Sequence, residues 1–312
     1  MASFLAPNPH NIPIIQQTFY FFSPYSQTWV DYRYMPPPPA LSPHYIPEPR
    51  IRLISWNVDN SEIAPVARMQ SIIEHIHWLS TYGPGPIDVM LFQEVCPAAL
   101  QTILSMNFVQ EYYLVSDIDP SNWRGLNPFF GSVTLILKDS ALYEAGHIYR
   151  IPYPSNMSRD ALCCDLVIQA GQQTKLVRVI NVHLDSLNHR RSLRPTQLSI
   201  CASHLLTAGS GCVMGDFNAI SPEDARLSQD LGMVDAWEAC QGFLSPGDPG
   251  YTWGVQIKKD PFPPGRLDRA ALVGDVEPLD VQVLPCGQVA IPSRPVIWSD
   301  HCGLLVDLAL NF

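Results

Sequence analysis

The sequence predicts a mixed α/β fold, and three observations carry that prediction. Short runs rich in β-branched residues recur from residue 51 onward, including RLISW, IDVMLFQ, GSVTLILK, ALCCDLVIQ, KLVRVINVHL and CVMGD. Two stretches have helical periodicity, and they do not alternate strictly with the strands. Several neighbouring strands look like hairpins, which favours a mixed arrangement over a doubly wound parallel sheet.

The elements follow in order. Residues 1–50 are rich in proline and aromatic residues, with Pro36 to Pro39 in succession. Proline blocks helix and sheet continuation, so this N-terminal extension is expected to be partly disordered or docked. Within it, FYFF, a Ser-Pro-Tyr-Ser turn and TWV predict a small hairpin or docked segment, and the prolines offer an extended partner-binding alternative. The remaining 51–312 reads as one catalytic domain. SEIAPVARMQSIIEHIHWLS places Val66, Met69, Ile72, Ile73, Ile76 and Leu79 on one helical face, and SLRPTQLSICASHLL gives a second helix. Short helices are expected over 222–240, a Pro/Gly-rich loop over 245–266, and then strands at RLDRAALV, LDVQVLP and CGLLVDLAL.

Composition narrows the function. The 312 residues are 46% hydrophobic, which supplies a large core, and only 15% charged, with a net charge of −10. Such a chain does not coat DNA by bulk attraction, because that binding rests on Lys and Arg neutralising phosphates. A polyanionic substrate must be held locally, by a few arginines and a metal. The eight cysteines contain no Cys-x-x-Cys pair and sit among apolar residues, so free buried thiols are expected and no disulfide framework. The first basic residue is Arg33, which does not suit a secretory leader or transit peptide, and no apolar run reaches the length of a membrane span. An intracellular protein with no membrane partner is expected.

Polar residues cluster where strands end. Asn57 follows LISW, Glu94 follows VMLFQ, His183 and Asp185 follow VRVINV, and Asp216 and Asn218 follow CVMG. Asp268 lies in GRLDRAAL, and Asp300 and His301 precede CGLLV. Taken singly, each has a bland role: a turn residue, a cap, a hydrogen-bonded core histidine. Together they form the inventory of metal-assisted phosphodiester hydrolysis. One hard carboxylate, Glu94, with Asn57 nearby, suits Mg²⁺, which keeps most of its waters. Asp268 can fix the tautomer of His301. Asp216 and Asn218 can hold and activate a water, and His183 can donate to a phosphate oxygen.

The segments ISWN, LFQEV, NVHLDS, GDFN and WSDH, in this order, resemble the endonuclease/exonuclease/phosphatase superfamily over roughly residues 51–312. The stretches YPSNMSRDALC, DAWEAC and GYTWGVQ are similar to its tyrosyl-DNA phosphodiesterase 2 branch. The resemblance implies a DNase I-like, four-layer α/β/β/α sandwich of two mixed, mostly antiparallel sheets flanked by helices. It implies Mg²⁺, with Mn²⁺ as the alternative ion, held by Glu94 and Asp300. Asn57, His183, Asp216, Asn218, Asp268 and His301 are then catalytic, and Arg159, Ser186, Arg194 and Trp253 bind substrate. Trp253 is expected to line the groove and stack on a base or aromatic leaving group. The implied partner is a DNA 5′ end, with or without a tyrosyl-peptide adduct, met by a monomer in DNA repair in the nucleus or cytoplasm. Two departures stand out. Ile220 or a neighbour occupies the place where this branch carries a basic residue after GDFN, and the branch's ubiquitin-binding helix region is not recognisable in residues 1–50. Arg159, Arg191 and Arg194 are candidates to replace the missing cation. A generic nuclease or deadenylase, a small-molecule phosphatase and an inactive partner-binding member remain open alternatives.

Overall fold

The structure is a computed structural model that describes residues 12–35, 49–60, 63–124, 129–170, 173–187, 192–244, 249–257, 261–292 and 294–311. The proline run Pro36–Pro39 and the candidate Arg191 lie outside the described residues.

In chain order the strands are β1 (Ile15–Gln17), β2 (Tyr20–Ser23), β3 (Thr28–Asp31), β4 (Arg50–Asn57), β5 (Val89–Val95), β6 (Tyr113–Val115), β7 (Gly131–Leu137), β8 (Tyr143–Ile151) and β9 (Ala161–Ala170). They continue with β10 (Gln173–His183), β11 (Ser210–Asp216), β12 (Val234–Asp235), β13 (Asp268–Val273), β14 (Val276–Leu284), β15 (Gln288–Ala290), β16 (Pro295–Ile297) and β17 (Gly303–Leu310). The helices are α1 (Pro65–Tyr82), α2 (Pro97–Ser105), α3 (Asn107–Tyr112), α4 (Arg194–Ala208), α5 (Leu227–Asp230) and α6 (Ala236–Leu244). One sheet runs β1-β8-β9-β10-β11-β13-β12 and the other β14-β17-β4-β5-β7-β6-β2-β3, with β15 and β16 as a separate ribbon. Most neighbours are antiparallel; β4–β5 and β10–β11 are parallel.

Side-chain alternation explains the layers. Along β4, β5, β9, β10 and β11, residues such as Leu53, Leu91, Cys164, Val179 and Met214 fill the space between the sheets. Their neighbours point outward. Ile54, Met90 and Phe92 pack under Met69, Ile72, Ile73 and Ile76 of α1 and under α2. Ile180, Val182 and Val213 pack under Leu198, Cys201 and Leu205 of α4. The result is the four-layer α/β/β/α sandwich. Val66, expected on the buried face of α1, is instead 51% exposed. Arg68 is buried there, its guanidinium donating to the carbonyls of Val58, Ile63 and Trp298.

The N-terminal segment is built into both sheets. β1 pairs with β8, while β2 and β3 form a hairpin at the far edge of the other sheet. All eight cysteines are free thiols. Among the described residues no helix is long and apolar enough to cross a membrane.

Candidate active site

The inward-facing register that builds the core also builds the site. Two steps beyond Ser55 on β4 comes Asn57, two beyond Asn181 on β10 comes His183, and two beyond Met214 on β11 comes Asp216. Ladder pairing then places His183 opposite Asp216 and Asp216 opposite Asp268. Gly215 of β11 is needed for close approach: at φ 145° it lies against β10, where a Cβ would fall 2.1 Å from the Val182 carbonyl oxygen. β11 is interior to the sheet, between β10 and β13, and the chain turns only later, at Asn218 with φ 48°.

Asp216 is the centre of the network. Its Oδ2 accepts from Asn57 Nδ2 and Asn218 Nδ2, both at 3.0 Å, and lies 3.4 Å from His183 Nε2 and 4.0 Å from His301 Nε2. Its Oδ1 accepts from the Asn218 backbone at 2.8 Å. Asn57 Nδ2 also reaches Glu94 Oε1 at 3.2 Å, and His183 Nε2 is 3.6 Å from the same oxygen. Asn60 donates its backbone and side-chain N–H to Glu94 Oε2, at 3.2 and 2.7 Å. On the other flank, His301 Nδ1 lies 2.8 Å from Asp268 Oδ2.

The two histidines are held in opposite protonation states. Burial pushes His183 well below its ordinary 6.5, and the positive Arg159 and His301 push it further down. A neutral ring with its proton on Nε2 serves both facing carboxylates. Burial also disfavours the His301 cation, yet Asp268, Asp216 and Asp300 outweigh it and lift His301 to about 10. Burial raises the Asp216 carboxyl to about 7. Groups whose environments separate their pKa values in this way mark acid and base roles.

The remaining expected residues divide. Asp300 accepts from the Trp253 indole at 3.0 Å, and its other oxygen lies 4.0 Å from His301 Nε2. Trp253 is half-buried, bridged through its backbone to Gly265 and His301. Arg159 donates to the Leu184 carbonyl and reaches Ser186 Oγ at 3.5 Å. It lines a pocket with His183, Phe130, Trp123 and Asp160. Arg194 needs correction as a substrate ligand. It is 1% exposed, and its guanidinium is consumed by Asp224 at 2.7 Å, Ser221 Oγ and the carbonyls of Asp185 and Leu187. It braces the loop after Asn218 from inside. Ile220 on that loop is exposed.

Sequence reasoning missed Asn60, Phe130 and Ser299. Phe130 lies 5.9 Å from the His183 ring, and Ser299 ties the two flanks by donating to the Asn57 carbonyl at 2.6 Å and accepting from the His301 N–H at 3.0 Å. Ser299 lies inside the WSDH segment and Asn60 three residues past ISWN, so nearness to a motif was the available signal. Nothing local marked Phe130.

A family model described as the Endonuclease/Exonuclease/phosphatase family matches residues 54–301, most of the chain and every residue of this network. The chain belongs to the endonuclease/exonuclease/phosphatase family. As a member it is a hydrolase of phosphate esters. Among solved structures, TDP2 of D. rerio complexed with single strand DNA product superposes with a TM-score of 0.61 at 20% identity, covering 83% of this chain and 98% of that one. Truncated TDP2 of Caenorhabditis elegans gives 0.61 at 20%, covering 83% and 97%. The mannosyl-6-phosphatase of Bacteroides thetaiotaomicron gives 0.58 at 15%, covering 83% and 100%. At these identities the likeness establishes the DNase I-like fold alone. No curated protein sequence matches the chain.

The donor set suits a hard divalent cation, on which enzymes of this family generally depend. Asp216, Asp268 and His301 bring ligand-capable atoms within 4.8 Å of one another. That tight group is nonetheless the poorer seat: Asp268 Oδ2 is committed to His301, which carries a proton. Glu94 is the better one. Its carboxylate side chain is 19% exposed, and it faces amides and a neutral imidazole rather than a guanidinium.

Proposed function

We propose that this member is a Mg²⁺-dependent phosphodiesterase that cleaves a 5′-phosphotyrosyl or related 5′-end DNA diester. The observation that supports it is the convergence of Asn57, Glu94, His183, Asp216, Asn218, Asp268 and His301 into one hydrogen-bonded network.

In this reading Glu94, aided by Asp300, holds the ion, and the ion supplies charge neutralisation at the phosphate when bound. Asp216 orients the attacking water and takes its proton. Asn57 and Asn218 aim its Oδ2, and a pKa of about 7 suits a base working near neutrality. The water oxygen bonds to phosphorus as the bond from phosphorus to the tyrosyl oxygen breaks. The products are a 5′-phosphate and a phenolate, which with a pKa near 10 leaves without a strong acid beside it. His301, protonated and braced by Asp268, donates Nε2–H to the charge that grows on the phosphate. His183 donates Nε2–H to a non-bridging oxygen. The pocket beside His183, lined by Trp123, Phe130 and Arg159, offers an aromatic wall and a cation to the departing phenol. TDP2 of D. rerio was solved with single strand DNA product, in keeping with a DNA end as substrate.

The test is turnover of a 5′-phosphotyrosyl oligonucleotide with Mg²⁺, compared with poly(A), an abasic duplex and small sugar or inositol phosphates. Preference for the first is expected, and EDTA should abolish it until Mg²⁺ is restored. A second reading, a phosphatase acting on a small phosphate ester, is favoured by the internal use of Arg194 and the exposed Ile220 after GDFN. Faster turnover of a small monoester than of the tyrosyl diester would select it.

A further inference from the structure

Glu94 should not point into the site. On β5 the residues Val89, Leu91 and Gln93 face the inter-sheet layer, so alternation sends position 94 to the opposite face. Glu94 is turned back by a bulge. Its φ is 56°, and the β5–β7 ladder shifts register between Phe92 and Val95. A bulge leaves backbone groups outside the ladder, and when buried they need partners.

The rung beside the bulge is gripped from the other sheet. Asn181 of β10 is fully buried, and its Nδ2 donates to the carbonyls of Phe92 at 3.2 Å and Val133 at 3.1 Å, the two partners of the last in-register rung before the shift. Gln93 Nε2 holds Asn181 Oδ1 at 2.8 Å and Ser55 Oγ at 3.0 Å. A fully buried amide pair, with the hydroxyls of Ser55 and Thr134 beside it, therefore sits in an otherwise apolar layer, Gln93 adjacent in sequence to Glu94 and Asn181 two residues before His183. An apolar pair would fill the space but would not tie this rung, or the Gln93 side chain next to Glu94, to the facing sheet.

We infer that Asn181, locked by Gln93, is a positioning residue that holds the Glu94 bulge and so sets the affinity of the site for its divalent ion. This rests on the reading of Glu94 as the metal ligand. Neither amide touches substrate.

The experiment measures Mn²⁺ binding to the resting protein by electron paramagnetic resonance of the free ion, alongside the Mg²⁺ concentration giving half-maximal turnover. Asn181→Leu is expected to weaken Mn²⁺ binding by about 10- to 100-fold, the usual cost of losing a group that orients a metal ligand. Turnover should recover at saturating metal, with little change in KM. Val179→Ala, one inward step earlier on β10, should lower Tm and leave Mn²⁺ affinity unchanged. Unchanged affinity in Asn181→Leu overturns the inference. Should that variant not fold, Gln93→Leu decides: weaker Mn²⁺ binding supports the inference and wild-type binding overturns it. Glu94→Ala separates the two levels. If it binds Mn²⁺ as wild type does, the assignment of Glu94 fails. If it loses binding while the amide variants keep it, only the positioning role fails.

Discussion

Two groups of acids are treated differently in this molecule. On the flanks of the sheets they meet guanidinium groups: Asp307 with Arg50 and Arg52, Asp117 and Asp160 with Arg150, Asp165 with Arg178, Asp224 with Arg194, and Asp235 with Arg266. At the strand ends Glu94, Asp216, Asp268 and Asp300 meet amides, imidazoles and an indole. Arg159 is near, yet it bonds a carbonyl and a serine. Burying Asp216 is costly even with the His301 cation nearby, and the cost shows as a pKa of about 7. The contrast separates acids that hold the fold from acids that await a cation and a phosphate.

The largest expected effect breaks the strand-end set. Glu94→Ala, Asp216→Asn and Asp268→Asn should each lower kcat by roughly 10²- to 10⁴-fold, the range for removing a positioned acid–base group. Their Tm should stay near wild type. Parallel kinetics and thermal melts check this, and a loss of fold without a specific loss of kcat would erase the contrast.

Arg150→Met does the opposite on the flank. It strands Asp117 and Asp160, both buried, and should cost about 3–5 kcal/mol of stability in urea unfolding. Turnover per folded molecule should change little. Destabilisation below about 1 kcal/mol would mean that the flank pairs are not structural.

How far the sequence reached follows from the same physics. Strand-end chemistry was legible because Asn57, His183 and Asp216 obey the two-residue period that the apolar residues announce. The two-sheet sandwich was legible through motif order more than through pattern. Strand β8 escaped because Gly146 and a register shift between Ala145 and Ile148 blur its alternation. Strand β12 is two residues long, and α2 follows β5 with no change in hydrophobic character. Arg194 was misplaced for a general reason. An arginine two residues from a loop reads as surface charge, and only tertiary contacts reveal a buried partner such as Asp224. Glu94 joins the strand-end network although alternation argues against it, since a bulge cannot be seen in LFQEV.

Titration sharpens the contrast. Turnover should rise through about pH 7 as Asp216 ionises, because the active base is the carboxylate and burial has raised its pKa. It should fall through about pH 10 as His301 loses the proton that its acids hold there. In Asp268→Asn the largest support for that cation is gone, so the alkaline limb of the residual activity should move down toward the ordinary histidine range near 6.5. An unmoved limb would show that the pairing at Nδ1 does not govern the proton on His301.

The smallest effect concerns salt, and it tests the flank side of the contrast. Proteins that follow a nucleic-acid backbone with six to ten cation–phosphate contacts lose about 10³–10⁵ in affinity between 50 and 200 mM salt. Here Arg150, Arg178, Arg194 and Arg266 are spent on carboxylates, Arg68 and Arg269 on carbonyls. Among the described residues, Arg159 and the exposed Arg124 line the pocket beside His183 without an ion pair to an acid. With one or two phosphate contacts, KM for a single-stranded 5′-phosphotyrosyl oligonucleotide should rise by less than about tenfold over that salt range. Lengthening the oligonucleotide beyond a few nucleotides should not lower KM further. A steep salt slope that grows with length would mean that the substrate recruits arginines from their internal partners, and the division between structural and functional charge would fall.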